Sequence, residues 1–403
     1  MFLCLLWEDA YAEAEAIRSV RSINSDWKFI LRDEQQAFKS DYNDSSWRTL
    51  DVPHDWAFEN GYSKDGAQRE NGGYAMGGIG WYRKTFELSE QECNGHSLYI
   101  DFEGVYMNSE VWVNEHYMGK RPYGYISFGY DVTPYVKPGK NFISVRVDNS
   151  HEPSARWYHG CGIYGNVTLS VLPVSHFSKW GTFVYSTFAD KDMALMNISS
   201  EVEVRTNNPL FIEYTIESPE RKVVYKSGKL SLDANILTNN GVEIKTPVLW
   251  DIDNPRMYTL TSRLFENERI IDETIEIFGI RNIKWDPETG FWLNGKNVKI
   301  QGVCEHMDGG ATGAVLTENI LRWKIKLLKD MGCNAIRGTH NPQLPTFYKV
   351  CDEMGMLVLD EVFDGWKKKA AEDYGKQAFK EWWERDLRDF IKRDRNHPSV
   401  IAY

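Results

Sequence analysis

Three short stretches near the C-terminal end of the sequence carry residue types that can do chemistry. In each of them an apolar run leads directly into acidic, basic or imidazole side chains, most clearly over residues 334–342. A barrel strand delivers polar groups into a ligand pocket in this way. The polar residues of the three stretches are Glu305, His306 and Asp308; Arg337, His340 and Asn341; and Asp360, Glu361 and Asp364.

These residue types suit a sugar-binding or acid/base pocket, because carboxylates and imidazoles hydrogen-bond hydroxyl groups and exchange protons. We favour a functional role for His306 and His340. An unpaired guanidinium at a strand end would be costly, so we expect Arg337 to bind a carboxylate of the protein or a ligand. For Asp360 and Glu361 a structural salt bridge or a helix cap is an equally good interpretation.

The elements around these residues alternate between short apolar strands and amphipathic helices. We predict strands over residues 298–303, 335–337 and 357–360, a fourth strand from Val400, and helices over residues 317–331, 345–354 and 377–393. The inward residues of the last helix are predicted to be Phe379, Trp383, Leu387 and Phe390 or Ile391. Such alternation implies a parallel sheet, and residues 280–403, opened by an Asn294-Gly295 hairpin, would form the first part of a (β/α)8 TIM barrel.

The preceding residues follow the period-two alternation of β-structure. Residues 22–172 predict an antiparallel β-sandwich, and its polar, glycine-rich loops 60–80 and 150–165 are candidates for binding. Residues 173–279 suit an immunoglobulin-like sandwich that acts as a spacer.

Composition narrows the function classes. A chain of 403 residues is long enough for several domains, and its net charge of -11 argues against a phosphate-backbone partner. Aromatic residues make up 14% of the chain, which suits sugar binding but is equally usual in large β-domains. No apolar run approaches a membrane span, so neither nucleic acid nor a membrane is expected as a partner.

The cysteines and the N-terminus give weaker indications of metal binding and of cellular location. The six cysteines are scattered without zinc spacing, so we expect free thiols and no metal. Residues 1–21 are assigned to an N-terminal extension, in which Ala10-Tyr11-Ala12 resembles the cleavage site of a signal-peptide remnant. A periplasmic or extracellular location is therefore one expectation and a cytoplasmic location the other.

Motifs along residues 22–403 closely resemble the glycoside hydrolase family 2 enzymes, in particular β-galactosidases. In the C-terminal part they are Gln301-Gly302-Val303-Cys304-Glu305-His306, Gly332 to Pro342, Cys351 to Glu361 and Arg395-Asn396-His397-Pro398. In the N-terminal part they are Val52-Pro53-His54-Asp55-Trp56, Gly80-Trp81-Tyr82-Arg83, Gly104-Val105-Tyr106 and Arg156-Trp157-Tyr158-His159-Gly160-Cys161-Gly162. The resemblance implies a multidomain protein with a sugar-binding jelly roll, an immunoglobulin-like β-sandwich and an incomplete catalytic TIM barrel.

The resemblance also implies residue roles. His306, Arg337, His340 and Asn341, with Asp360 and Glu361, would line the subsite of the terminal sugar, and the loop of Arg156 and Trp157 would reach over its rim. The family acts with retention, using a glutamate acid/base and a glutamate nucleophile. Both are expected beyond Tyr403, so no catalytic residue is predicted in this chain.

Three departures from the family pattern bear on these roles. Glu305 and Met307 flank His306 where relatives commonly carry an apolar residue and a second histidine, and Gly165 stands where an arginine is usual. After Asp360-Glu361, the Glu-x-His that supplies magnesium ligands in some members is absent. No cofactor is therefore expected, and bound magnesium, although disfavoured, stays an alternative.

The leading hypothesis is hydrolysis of terminal non-reducing β-D-galactose residues in β-galactosides by a retaining double displacement, carried out by a longer protein of which residues 1–403 are an inactive part. A β-glucuronidase of the same family and a non-catalytic carbohydrate-binding protein are the alternatives, although an open half-barrel would expose a strand edge. A weaker alternative is an enzyme that uses Glu305 and Glu361 as its pair of catalytic acids. The expected partner is a β-galactoside or related glycan, and a homo-oligomer stays open.

Overall fold

A computed structural model of the protein describes residues 17–403 as three domains that follow one another along the chain. The candidate signal-peptide site at residues 10–12 lies outside the described residues. The first strand begins at Ser19, within the stretch that the sequence analysis assigned to an extension. That strand is at the edge of its sheet and three of its four residues are exposed, so its composition carries little signal.

The first domain is a jelly-roll sandwich of two antiparallel sheets, with strand orders β1-β10-β5-β8 and β3-β2-β4-β9-β6-β7. Its core consists of alternate strand residues such as Leu98, Ile100 and Phe102, which are at most 1% exposed, as the period-two pattern predicts. Two short helices, α1 (Trp56–Glu59) and α2 (Glu90–Cys93), cross its ends. Its strands are β1 (Ser19–Ser22), β2 (Trp27–Ile30), β3 (Arg48–Leu50), β4 (Gly78–Leu88), β5 (His96–Phe102), β6 (Ser109–Val113), β7 (His116–Arg121), β8 (Phe128–Asp131), β9 (Gly139–Asn149) and β10 (Val167–Pro173).

The second domain is an immunoglobulin-like sandwich. In one sheet β13 pairs with three strands, β11, β12 and β16. The other sheet has the strand order β15-β14-β17-β18. Ile212, Tyr214 and Leu260 are buried between the sheets. The strands are β11 (His176–Phe177), β12 (Phe183–Ala189), β13 (Met193–Glu203), β14 (Leu210–Glu217), β15 (Val223–Ser231), β16 (Ile236–Lys245), β17 (Tyr258–Glu266) and β18 (Arg269–Phe278).

The third domain is the first part of a TIM barrel, with four parallel strands in the order β22-β23-β24-β25. A small antiparallel sheet precedes it, and its β20–β21 hairpin turns at Asn294 and Gly295, which both have positive φ, as the Asn-Gly pair predicts. The elements are β19 (Ile283–Asp286), β20 (Gly290–Leu293), β21 (Lys296–Asn297), β22 (Gly302–Glu305), α3 (Glu318–Asp330), β23 (Ala335–Gly338), α4 (Pro345–Met354), β24 (Leu357–Leu359), α5 (Tyr374–Gln377), α6 (Phe379–Asp394) and β25 (Val400–Ala402).

Two predictions for this domain were wrong in detail. The strand expected over residues 298–303 begins only at Gly302, where pairing with Ala335 of β23 starts. The last helix is split at Ala378, and Trp383, which was expected to point inward, is 39% exposed. The buried residues of α6 include Asp386, Arg393 and Asp394 beside Phe390, so its inward face carries ion pairs that a count of apolar residues misses.

Buried polar contacts hold the jelly roll against the barrel. Arg121 at the end of β7 donates from Nε to Asp386 Oδ1 of α6 at 2.8 Å, and both side chains are almost fully buried. Asp55, the N-cap of α1, accepts from the backbone N of Ala314 at 2.9 Å. These contacts bring the loop over residues 150–165 to the edge where the barrel strands end. Over residues 17–403, no helix has the length and apolar character needed to cross a membrane.

Candidate functional site

The predicted site residues converge because β22, β23 and β24 are parallel neighbours that end at one edge of the sheet. Arg337 of β23 is in register with Cys304 of β22 and Leu359 of β24. The residues that follow these strands therefore meet at the same rim, which is where ligand sites of barrel proteins lie.

Glu361 binds two other side chains of this rim. Its Oε1 accepts from Arg337 Nε at 2.8 Å and also from Nη2, while its Oε2 lies 3.1 Å from His340 Nδ1. Arg337 thus binds a carboxylate of the protein, as expected from its place at a strand end. One carboxylate orients both a guanidinium and an imidazole, and all three side chains are between 27% and 42% exposed and so open to a ligand.

Trp157 of the jelly-roll loop packs on the two histidines of the barrel. Its ring stacks on His306 at a centroid distance of 5.0 Å and meets His340 edge-on at 5.3 Å. The indole Nε1 donates to Tyr125 Oη at 3.1 Å, which fixes the ring plane. Burial, with the charge of His340 next, lowers the pKa of His306, so this imidazole is neutral at pH 7, and its buried Nδ1 has no hydrogen-bond partner within residues 17–403.

Arg156 joins the jelly-roll loop to the loop that follows β24. Its Nη2 lies 2.8 Å from each carboxylate oxygen of Asp364, and the guanidinium lies 5.8 Å from the centroid of the Trp157 ring. The predicted reach of this loop to the barrel rim is therefore present, although Arg156 contacts protein through an ion pair.

Asn341 and Asp360 do not join the open part of the rim. Asn341 is 1% exposed, and its Nδ2 donates to the carbonyl of Pro342 at 3.0 Å. Asp360 is also 1% exposed and accepts from Tyr348 Oη at 2.7 Å. Burial, with the charge of Asp394 next, raises the pKa of Asp360 well above its usual range. The assignment of Asp360 to the sugar subsite is corrected: this side chain, just after β24, is directed at Tyr348 of α4 and Asp394 of α6, whereas Glu361 is directed at the rim.

Glu305 also has an internal partner. Its Oε2 lies 2.6 Å from Lys324 Nζ of α3, and Glu361 is bound to Arg337. Both carboxylates of the weaker acid-pair hypothesis are therefore held in ion pairs, which disfavours a role as a proton-donating acid.

A cleft beside these residues contains side chains that the sequence analysis did not single out as binding residues. It lies between the two domains and is lined by Tyr106, Tyr125, Trp157, His340, Phe363 and Asp364 among others. Trp157 and the Gly104-Val105-Tyr106 motif were noted in the sequence, whereas the Tyr123-Gly124-Tyr125 run between β7 and β8 was not. Aromatic rings that face such a cleft present apolar surface with polar edges, which suits the faces of a sugar ring.

Comparison with known families gives matches along nearly all of the described chain. Residues 20–173 match the sugar-binding domain of the glycosyl hydrolases family 2, residues 177–281 match the middle model of that family, and residues 287–403 match its TIM barrel domain.

Individual relatives agree with these matches. A Formosa agariphila protein named "Putative beta-glucuronidase" is 48% identical over 389 residues, which are 96% of this chain and 37% of the relative. Beta-galactosidase BoGH2A of Bacteroides ovatus is 44% identical over 393 residues, which are 96% of this chain and 46% of the relative.

A solved β-glycosidase structure from Bacteroides vulgatus superposes with a TM-score of 0.91 at 44% identity, covering 95% of this chain and 49% of that one. The chain spans less than half the length of the curated relatives described above. Three consecutive domain matches, the relatives and the rim geometry lead to one conclusion: the chain belongs to the glycosyl hydrolases family 2.

Proposed function

We propose that this chain is part of a retaining β-glycosidase that removes terminal non-reducing β-D-galactose residues from β-galactosides. The observation that carries the proposal is the joint rim of the two domains, where Glu361 orients Arg337 and His340 beneath Trp157. Side chains on a rigid sheet, held by second partners, are arranged in advance for a ligand.

The contacts of this rim suit a neutral sugar. An indole presents an apolar face to the C–H groups of a pyranose, and neutral His306 beside it adds no charge that a neutral sugar would leave uncompensated. In this proposal the chain supplies substrate binding, and the acid/base and nucleophile glutamates of the retaining mechanism come from residues beyond Tyr403.

The preference for a galactoside over a glucuronide rests on charge. Both guanidinium groups at the rim are already bound to carboxylates, Arg337 to Glu361 and Arg156 to Asp364. A glucuronide brings a further carboxylate, and each of these two guanidinium groups already has a carboxylate partner within the protein. The β-glucuronidase alternative stays in place because of the name of the Formosa agariphila relative.

The deciding experiment compares two chromogenic substrates. A protein that starts with these 403 residues and continues through a complete barrel is tested with p-nitrophenyl β-D-galactoside and p-nitrophenyl β-D-glucuronide. We expect the larger kcat/KM for the galactoside and no turnover by residues 1–403 alone. A larger kcat/KM for the glucuronide would replace the substrate assignment.

Two further outcomes address the other hypotheses. Turnover by residues 1–403 would contradict the placement of the catalytic groups outside this chain. Glycan binding by the longer protein without turnover of any β-glycoside would favour the carbohydrate-binding alternative.

A further inference from the structure

Three potential metal ligands of different types lie close together within the loop over residues 150–165, which also carries Arg156 and Trp157. A carboxylate oxygen of Glu152, Nε2 of His159 and Sγ of Cys161 all lie within 4.8 Å of one another. The His159 and Glu152 side chains are 1% and 2% exposed, and Cys161 is fully buried. The sequence has no pattern of cysteines at zinc spacing, and the third group of this set is a carboxylate seven positions before His159.

The hydrogen bonds of His159 leave a lone pair directed at the cluster. Nδ1 lies 2.7 Å from the carbonyl oxygen of Gly160 and therefore carries the proton that it donates. Nε2 lies 3.4 Å from Glu152 Oε1 and 3.3 Å from Ser154 Oγ, whose hydroxyl proton is donated to Asn149 Oδ1 at 3.1 Å. A nitrogen lone pair that faces a carboxylate oxygen is repulsive unless a cation lies between them, and that cation is either a second imidazole proton or a metal ion.

The sulfur of Cys161 faces two amide donors, Asn149 Nδ2 at 3.1 Å and Gln68 Nε2 at 3.8 Å, and lies 3.7 Å from the carbonyl oxygen of Met76. Amide N–H groups around sulfur are the second partners that a metal-bound thiolate takes, and the positive ion supplies the compensating charge.

Gln68 provides a separate observation. Its side chain is turned to the sulfur of Cys161 and the residue is 1% exposed, yet Oε1 has no hydrogen-bond partner within residues 17–403. A buried amide oxygen without a partner requires an explanation. A metal ion beside Cys161 explains this oxygen, because Oε1 is then an oxygen ligand atom at the edge of the cluster.

We propose that Glu152, His159 and Cys161 bind one zinc-class divalent metal ion. A thiolate, an imidazole and a carboxylate are ordinary zinc ligands, with bond lengths of roughly 2.0–2.3 Å. Binding releases the thiol proton to solvent, so affinity rises with pH. The ion ties both ends of the loop over residues 152–161 to the jelly roll and so fastens the segment that carries Trp157.

The test uses the 403-residue chain and metal-specific readouts that do not depend on glycosidase activity. The protein is stripped with a chelator, titrated with cobalt(II) and followed by absorption, and its zinc content after dialysis is measured by mass spectrometry. We expect one equivalent of cobalt with a thiolate-to-cobalt band in the near ultraviolet, displacement of cobalt by zinc, and zinc retained at one equivalent.

Variants assign the ligands. We expect Cys161→Ser and His159→Gln to weaken cobalt binding by more than about 100-fold, because a direct ligand contributes at least as much as the second partners of a ligand do. Cys93→Ser, at the end of α2 and outside the cluster, is the matched thiol control and keeps the full band. Zinc should raise the Tm of the parent and of Cys93→Ser and leave that of Cys161→Ser unchanged.

The parent alone can overturn the proposal, so a variant that fails to fold does not block the test. Parent protein that retains no zinc and shows no thiolate-to-cobalt band would mean that a second proton on His159, paired with Glu152, is the cation of this cluster. A full band in folded Cys161→Ser would also overturn it, because another thiol would then be the ligand.

Discussion

Asp360 and Glu361 are neighbours in the sequence, yet they belong to two polar networks of opposite character. The inner network consists of Asp360, Tyr348, Arg393 and Asp394, all at most 7% exposed. The outer network consists of Arg337, His340 and Glu361, whose side chains are about a third exposed. Successive residues of an extended chain point to opposite sides. Asp360 and Glu361 therefore belong to a buried network and a solvent-exposed network, although they are adjacent in the sequence.

The two networks differ in what their charges require. Arg393 donates to both carboxylate oxygens of Asp394 at 2.7 Å, to the carbonyl of Gln343 at 2.9 Å and to Ser127 Oγ of the jelly roll at 3.2 Å. A buried ion must have such a complete set of partners, or folding is penalised. At the rim, water can replace a lost partner, and the same residue types are free to bind a ligand. Stability should therefore depend on the inner network and sugar affinity on the outer one.

The largest expected effect is that of Arg393→Met, which removes the cation of the inner network. Asp394 would be left as a buried carboxylate without its partner, and we expect a loss of about 3–5 kcal/mol in the free energy of unfolding. Denaturant unfolding of the 403-residue chain measures it. Arg388→Met is the matched control, because Arg388 lies on the same helix in an exposed pair with Glu384 and should change stability by less than about 0.5 kcal/mol. Equal losses in the two variants would contradict the distinction between the networks.

Glu361→Gln should have the reverse profile. It removes the charge that orients Arg337 and His340, so we expect affinity for galactose or a galactoside to fall by about 10- to 100-fold in a protein with the complete barrel, the range of a charge-assisted hydrogen bond. The free energy of unfolding should change by less than about 1 kcal/mol because the pair is partly solvated. Inhibition by galactose and denaturant unfolding give the two numbers, and Glu353→Gln, in an exposed pair with Arg322, is the control. A large stability loss with unchanged sugar affinity would assign Glu361 to structure.

Asp360→Asn tests the protonation of the inner network and should have a smaller effect. The raised pKa of Asp360 means that the folded state holds its proton more tightly than the unfolded state. Stability from this group is therefore present at low pH and is lost as pH rises from about 4 through the raised pKa. We expect the asparagine variant to be at least as stable as the parent at pH 7 and to show a flatter dependence of unfolding free energy on pH. A steeper pH dependence in the variant would be inconsistent with a protonated Asp360.

Arg156→Gln should have the smallest effect on stability. Its side chain is 38% exposed, so loss of the Asp364 pair should cost less than about 1 kcal/mol, and high salt should reduce the difference. Thermal unfolding at low and high ionic strength measures this. A cost that persists in high salt would mean that the guanidinium contributes by packing on Trp157.

Much of the barrel could be read from local patterns. The helix over residues 345–354 was predicted with its observed bounds because proline favours the first helical position and Gly355 takes the left-handed conformation that ends a helix. The convergence of His306, Arg337, His340 and Glu361 also followed from local features, because apolar runs mark the strands and parallel strands end at one edge. These patterns carry direct information about which way a side chain points.

Other parts of the site could not be read in this way. Trp383 was placed inward by apolar periodicity, but the inner face of α6 is occupied by Asp386 and Arg393, whose burial depends on Arg121 and Asp394. Asp364 reaches the site through Arg156 of another domain, and Tyr125 reaches it through Trp157, which lies 32 positions later in the same domain. No local pattern encodes such pairs, because each becomes favourable only after two distant segments have packed together.

The sequence by itself determined the domain order, the parallel strands and the residue types at their ends, because side-chain direction repeats with the period of the local backbone. Tertiary structure alone decided which polar residues face a ligand and which are sealed inside. It assigned Glu361 to the rim and Asp360 to the interior, placed Trp157 on His306, and assembled Glu152, His159 and Cys161 beneath one loop. The physical reason is that burial and charge pairing are properties of contacts between distant segments, and a chain acquires them only when its domains pack.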